Sequence, residues 1–270
     1  MEKFVLQKIE HDRKIGKRCD FVEPNVFDDC LLESDGKIIG FYIKNLKGKI
    51  KDYIAIANKE FRSDNVPKTL MERTEVLVNQ RKFGITRKQA KEMSTVQMST
   101  ILGGVPPRPH MRRPYASISS VHNNKKAQVF IKAMLLTCLE GEKIIKEIMP
   151  EQHDKQKKLI EENCLKEFRF GNLFTSSISN FNIAAPFHID RGNLKDCVNV
   201  IITKRQSSKG GSLFVPEYNA CFEQADNSLL VYPAWRNMHG VTPIIPTQTG
   251  GYRNSLIFYP LKAMNQGKIS

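Results

Sequence analysis

The chain has 270 residues, 40% hydrophobic and 26% charged, a balance that suits a globular protein and is too apolar for a disordered one. No apolar run reaches the roughly 18 residues that span a bilayer, and the start, MEKFVLQKIEHDRK, lacks the apolar centre of a secretory signal. Forty-two Lys and Arg against 28 Asp and Glu leave a net charge of +14, more than solubility requires and suited to a polyanionic partner.

The first elements read as strands. FDDCLLE (27–33), the turn pair Asp35-Gly36 and KIIGFYIKNL (37–46) make a hairpin signature, with β-branched and aromatic residues on both sides of the turn. Residues 67–94 are expected to be helical, with a break at Phe83-Gly84-Ile85-Thr86 and Thr86 as the cap of the second helix. Four prolines in GGVPPRPHMRRPYASIS (103–119) argue against helix and for an extended loop. Two further helical patterns fill 125–168. From Phe174 to Tyr259 the chain turns to short strands separated by Gly, Pro, Asp or Asn: NFNIAAPF, CVNVIIT, GSLFVPEY, NSLLVYPAW and NSLIFYP. Helices followed by many antiparallel strands predict an α+β fold. With no internal repeat and no long linker, 1–270 reads as a single domain. Its parts are 1–119 (strands, helix and Pro/Arg loop), 120–170 (supporting helices) and 171–262 (catalytic strands). Six cysteines without a CxxC pair read as reduced thiols of an intracellular protein, neither a zinc site nor a disulfide scaffold.

The strand-rich half carries the candidate chemistry. His188-Ile189-Asp190 follows a strand, His239 lies on a loop 51 residues later, and Arg253 comes 14 residues after that. Two neutral imidazoles and a carboxylate on one face of an octahedron leave three positions open, the facial triad of non-haem Fe(II) oxygenases. His-x-Asp alone is a weak pattern, and a hydrogen-bonded core histidine with a turn-capping aspartate is the plain alternative. Arg253 and Ser255 alternate onto one strand face within an apolar run, where a guanidinium fork and a hydroxyl could hold a carboxylate.

FNIAAPFHIDRGNLKDCVNVIITK together with RNSLIFYPLK resembles the TET/JBP family of Fe(II)- and 2-oxoglutarate-dependent dioxygenases, which oxidise the 5-methyl group of pyrimidines in nucleic acid. The likeness spans about residues 174–262 and is weaker over 27–119. It implies a double-stranded β-helix (a jelly-roll, cupin-like core) backed by the N-terminal and central helices. His188, Asp190 and His239 would be the iron ligands, and Arg253 the 2-oxoglutarate clamp with Ser255 beside it. Asn193 matches the family's base-contacting asparagine, whereas Gly192 stands where animal members often have histidine. The Cys-rich zinc-binding region of those members is absent.

The resemblance implies a DNA partner, double-stranded with the target base flipped out, and O₂ and 2-oxoglutarate as co-substrates. It implies no membrane association; a monomer is expected. Flipping a base costs a few kcal/mol and requires a grip on the backbone. His110, Arg112, Arg113 and Tyr115 in the Pro/Arg loop could provide it, with cations for phosphates and an aromatic ring for stacking. The expected reaction is 5-methylcytosine to 5-hydroxymethylcytosine. Thymine hydroxylation is the alternative, and a protein hydroxylase or a non-catalytic DNA-binding module are more distant ones.

Overall fold

The computed structural model describes residues 1–71, 73–93 and 96–265. Its first elements are β1 (Glu2–Val5), the hairpin β2 (Cys30–Ser34) and β3 (Lys37–Ile43), and helix α1 (Lys49–Arg62). Then come β4 (Thr69–Leu70), α2 (Arg73–Phe83), α3 (Arg87–Met93), β5 (Met98–Val105) and β6 (Ser117–Ile118). Helices α4 (Gln128–Ile148) and α5 (Pro150–Asn163) lead into β7 (Ser176–Phe181), β8 (Ala185–His188), β9 (Asn199–Gln206) and β10 (Ser208–Gly210). The chain continues through β11 (Leu213–Val215), β12 (Ala220–Phe222), β13 (Ser228–Tyr232) and β14 (His239–Val241), then β15 (Ile244–Pro246) and β16 (Tyr252–Tyr259).

Two sheets face each other. The major sheet runs β1-β2-β3-β13-β9-β16-β7-β5-β4, with β6 on β5, and the minor sheet runs β12-β11-β14-β8. This is the double-stranded β-helix, an α+β arrangement with helices on the outer side of the major sheet. Alternation along its central strands explains the layering. Val200 and Ile202 of β9 and Leu256 and Phe258 of β16 turn outward to Ile54 and Phe61 of α1 and Phe130 and Met134 of α4. Ile201 and Leu230 turn inward to meet Leu213, Val215 and Phe222 of the minor sheet. A sheet covered on both faces has no polar face to show, so β9 and β13 read as near-continuous apolar runs.

The Asp35-Gly36 hairpin forms as expected, with both turn residues at positive φ. Thr86 caps α3 reciprocally: its hydroxyl accepts from Gln89 N at 3.3 Å, and Gln89 Oε1 accepts from Thr86 N at 3.0 Å. Two expectations need correction. Thr69 and Leu70 form a strand paired with Ser99 and Met98 rather than the start of a helix, and residue 94 lies outside the described residues. The Pro/Arg region is not wholly loop: β5 reaches Val105, Pro109–Met111 make a 3-10 turn, and β6 pairs back on β5. Helix α1, which buries Ile50, Ile54, Ala57 and Phe61, falls in a stretch to which the sequence reading assigned no element. Among the described residues no helix is long and apolar enough to cross a membrane.

Candidate active site

A cavity of about 330 Å³ opens between the two sheets. Its walls include His188, Asp190, His239, Asn193, Arg253 and Ser255, interleaved with apolar side chains such as Ile178, Ile201 and Ile257. The two histidines are cross-strand partners, His188 at the end of β8 and His239 at the start of β14, with ring centroids 4.4 Å apart. Asp190 follows at the strand exit, and one ligand atom from each of the three lies within 4.8 Å of the others.

Backbone carbonyls set both imidazoles. His188 Nδ1 is 2.8 Å from Pro186 O and His239 Nδ1 is 3.0 Å from Asn237 O. A carbonyl can only accept, so each Nδ1 carries a proton and Nε2 is the atom left to face the site, giving up any proton of its own when a metal binds. Asp190 Oδ1 lies 3.4 Å from His188 Nε2, while its Oδ2 accepts from Asn199 Nδ2 at 3.2 Å. Burial alone would raise the Asp190 pKa, but the contact with His188 and the charge of His239 outweigh it and hold the carboxyl below its usual range. His188 is raised, first by Asp190, whereas burial and then His188 push His239 down. Two neutral imidazole nitrogens and a carboxylate facing one point are the donor set of the 2-His-1-carboxylate triad, so these residues fit Fe(II).

Across the cavity, Arg253 on β16 is 2% exposed and its Nε has no hydrogen-bond partner. No carboxylate among the described residues pairs with its guanidinium. Burial, with the added charge of Arg205 opposite it on β9, pushes its pKa down to about 9. A buried cation without an anion is costly, and here the anion must come from outside the chain. Ser255, two residues on, lines the same wall, its hydroxyl 3.4 Å from Asn180 O. Gly211 lies against the arginine stem at φ +68, where a Cβ would come within 2.5 Å of Arg253 Cδ. The residues present therefore fit a dicarboxylate.

The N-terminal segment braces both histidine strands. Gly16 N–H donates to Phe187 O at 2.7 Å and Phe187 N–H to Lys17 O at 2.9 Å, which covers the outer edge of β8. Cys19 packs so closely on Gly240, next to His239, that a Cβ at position 240 would be 2.8 Å from the cysteine Cβ.

Asn193 is buried on the cavity wall, but the four loop residues expected to grip DNA do not line it. His110 and Arg112 are exposed, Tyr115 is half-buried, and Arg113 folds back to donate to Pro106 O at 2.9 Å. Two wall residues went unnoticed in the sequence. Asn199 is a polar side chain inside the apolar run CVNVII, a visible signal. Tyr259 lies at the far end of β16, where burial and then Asp190 raise its pKa.

No protein-family model matches the chain, and no curated protein matches it. Among solved structures it is similar to NgTET1 in complex with 5mC DNA, at 12% identity over 98% of this chain and 83% of that one, with a TM-score of 0.59. Weaker likenesses are the structure of OsALKBH1 (12% identity, 82% and 96% coverage, TM-score 0.42) and a 2OG-Fe(II) oxygenase family oxidoreductase from Burkholderia pseudomallei (12%, 83% and 94%, TM-score 0.37). At these identities the likeness is one of fold.

Proposed function

We propose that the chain, acting as one catalytic unit, is an Fe(II)- and 2-oxoglutarate-dependent dioxygenase that oxidises the 5-methyl group of 5-methylcytosine in DNA to the hydroxymethyl product. The observation that carries the reading is the unpaired, buried Arg253 in the same cavity as three converging ligand atoms. A metal triad alone would suit many hydrolases. A triad facing a sealed guanidinium asks for a dicarboxylate that reaches from one to the other.

In this reading His188, Asp190 and His239 would hold the iron. Arg253 and Ser255 bind the distal carboxylate of 2-oxoglutarate, and the apolar walls keep water from the reacting centre. Asn193 contacts the flipped base. When bound, iron with 2-oxoglutarate and O₂ supplies the oxidising power, with succinate and CO₂ as co-products. The DNA assignment draws on the net charge of +14 and on the fold shared with NgTET1 in complex with 5mC DNA. His110, Arg112, Arg113 and Tyr115 then serve as the outer contact to the duplex.

Nucleoside mass spectrometry after incubating methylated duplex DNA with protein, Fe(II) and 2-oxoglutarate tests this directly. 5-Hydroxymethylcytosine that disappears with chelator is the expected result. Succinate formed only with a peptide substrate would overturn the DNA reading.

A further inference from the structure

Asn193 and Asp190 are joined by a chain of hydrogen bonds whose polarity runs one way. Asp190 Oδ2 accepts from Asn199 Nδ2 at 3.2 Å, and Asn199 Oδ1 accepts from Asn193 Nδ2 at 2.8 Å. An ionised carboxylate only accepts, so Asn199 must present its amino end to Asp190. Its carbonyl end is then left for Asn193, which must answer with its own amino group. The Asn193 amide is therefore not free to choose which end it shows. Its Nδ2 is drawn to the β9 wall, and its Oδ1, on the other side of the amide, accepts from no described residue and is not sealed from solvent.

The backbone around this amide is equally fixed. Asn193 N–H donates to Asp190 O at 2.9 Å, Leu194 N–H to Pro260 O at 2.8 Å, and Lys262 N–H to Gly192 O at 2.9 Å. The turn that carries Asn193 is thus tied to Asp190 and to the segment after β16. A 5-methylpyrimidine that brings its methyl to the triad must bring position 4 close by, because C4 is bonded to C5. That position is an amine donor in cytosine and a carbonyl acceptor in thymine.

We propose that Asn199 is a positioning residue that fixes the Asn193 amide with its carbonyl toward the cavity, so that the site selects a 4-aminopyrimidine over a 4-oxopyrimidine. The inference rests on the proposed DNA reading and adds the residue that would enforce its choice of 5-methylcytosine over thymine. A carbonyl facing O4 of thymine would set two acceptors against each other in a buried site, and such mismatches are rejected strongly.

The test compares two duplexes that differ only in one 5-methylcytosine or one thymine, each placed opposite an abasic site so that flipping costs the same. Binding to the metal-free protein gives a preference without turnover, and competitive oxidation by the iron-loaded protein gives a second. The wild type should favour 5-methylcytosine by about tenfold or more in both. Asn199→Val should bring the ratio close to one. Asn199→Thr has nearly the shape of valine but keeps a hydroxyl that can donate to Asp190 and accept from Asn193, so it should retain more of the preference. A wild type without preference or favouring thymine, an Asn199→Val that keeps the full ratio, or Val and Thr variants that behave alike would each overturn the proposal. Failure of the wild type to bind either duplex would instead remove the DNA reading beneath it.

Discussion

Gly211 lies directly against the side chain of Arg253: a Cβ there would stand 2.5 Å from Arg253 Cδ and 2.8 Å from Ile244 Cγ1. The backbone at Gly211 is also left-handed, at φ +68, so alanine is strained there on two counts. Gly211→Ala should displace the guanidinium and raise the KM for 2-oxoglutarate by about tenfold or more, because small misplacements at a binding group are expensive. Metal affinity should hardly change, since the atoms nearest a side chain at Gly211 belong to Arg253 and Ile244 and none to the triad. Parallel titrations of metal and 2-oxoglutarate separate the two effects.

Arg253→Lys tests the clamp itself. Lysine keeps a charge but loses the planar fork, so 2-oxoglutarate should bind markedly less well while DNA affinity stays near the wild-type value. An unchanged KM would pass the role to another cation, with Arg112 or Arg113 next to examine.

For the triad, His188→Ala or Asp190→Ala should reduce turnover below detection with little change in the far-ultraviolet circular dichroism. The core formed by the two sheets and α4 is apolar and does not depend on a metal. Full 2-oxoglutarate-dependent activity in Asp190→Ala would remove the assignment.

The Pro/Arg loop can be probed without disturbing the cavity. Arg112 is exposed and sits in the left-handed region at φ 57. Arg112→Gly relieves that conformation and removes the cation, so DNA affinity should fall and the slope of log affinity against log salt should shrink by about one. The KM for 2-oxoglutarate should stay put.

A pH effect on stability is expected at His122. Its Nδ1 accepts from Gly103 N–H at 3.3 Å, its ring meets Phe170 edge-on, and burial lowers its pKa below 6.5. A lowered histidine pKa means the unfolded chain binds the proton more readily than the folded one. The contribution is therefore intact above pH 6.5 and is lost as pH falls from there through the folded pKa. Replacing His122 by Gln should flatten this part of the stability profile in urea titrations between pH 7 and 5.

Much of the site could be read from the chain because the determinants are local. The His188-x-Asp190 spacing and the alternation of Arg253 with Ser255 are properties of single strands, and the Asp35-Gly36 hairpin depends on one turn. Helix α1 was hidden for the opposite reason. Its Ile50, Ile54 and Ile56 resemble strand residues, Gly48 at its start provides no capping side chain, and its helical state follows from packing Ile54 and Phe61 onto α4. Thr69-Leu70 was equally hidden, since two residues pair only because β5 offers an edge. The Asn193–Asn199 link depends on a turn folding back onto β9, and neither asparagine alone announces it.

The brace over β8 makes the least regular stretch of the chain a structural partner of the site. Residues 11–18 are exposed and lie outside any helix or strand, yet Gly16 and Lys17 hold the strand that ends in His188, and Cys19 packs behind His239. Lys14, Lys17 and Arg18 offer trypsin accessible bonds, while the helices and the major sheet present far less open backbone. Limited digestion should therefore cut here first, loosening both histidine strands and releasing the metal while the remaining fragment still melts cooperatively. In this protein, catalytic lifetime and folding stability would be set by different parts of the chain.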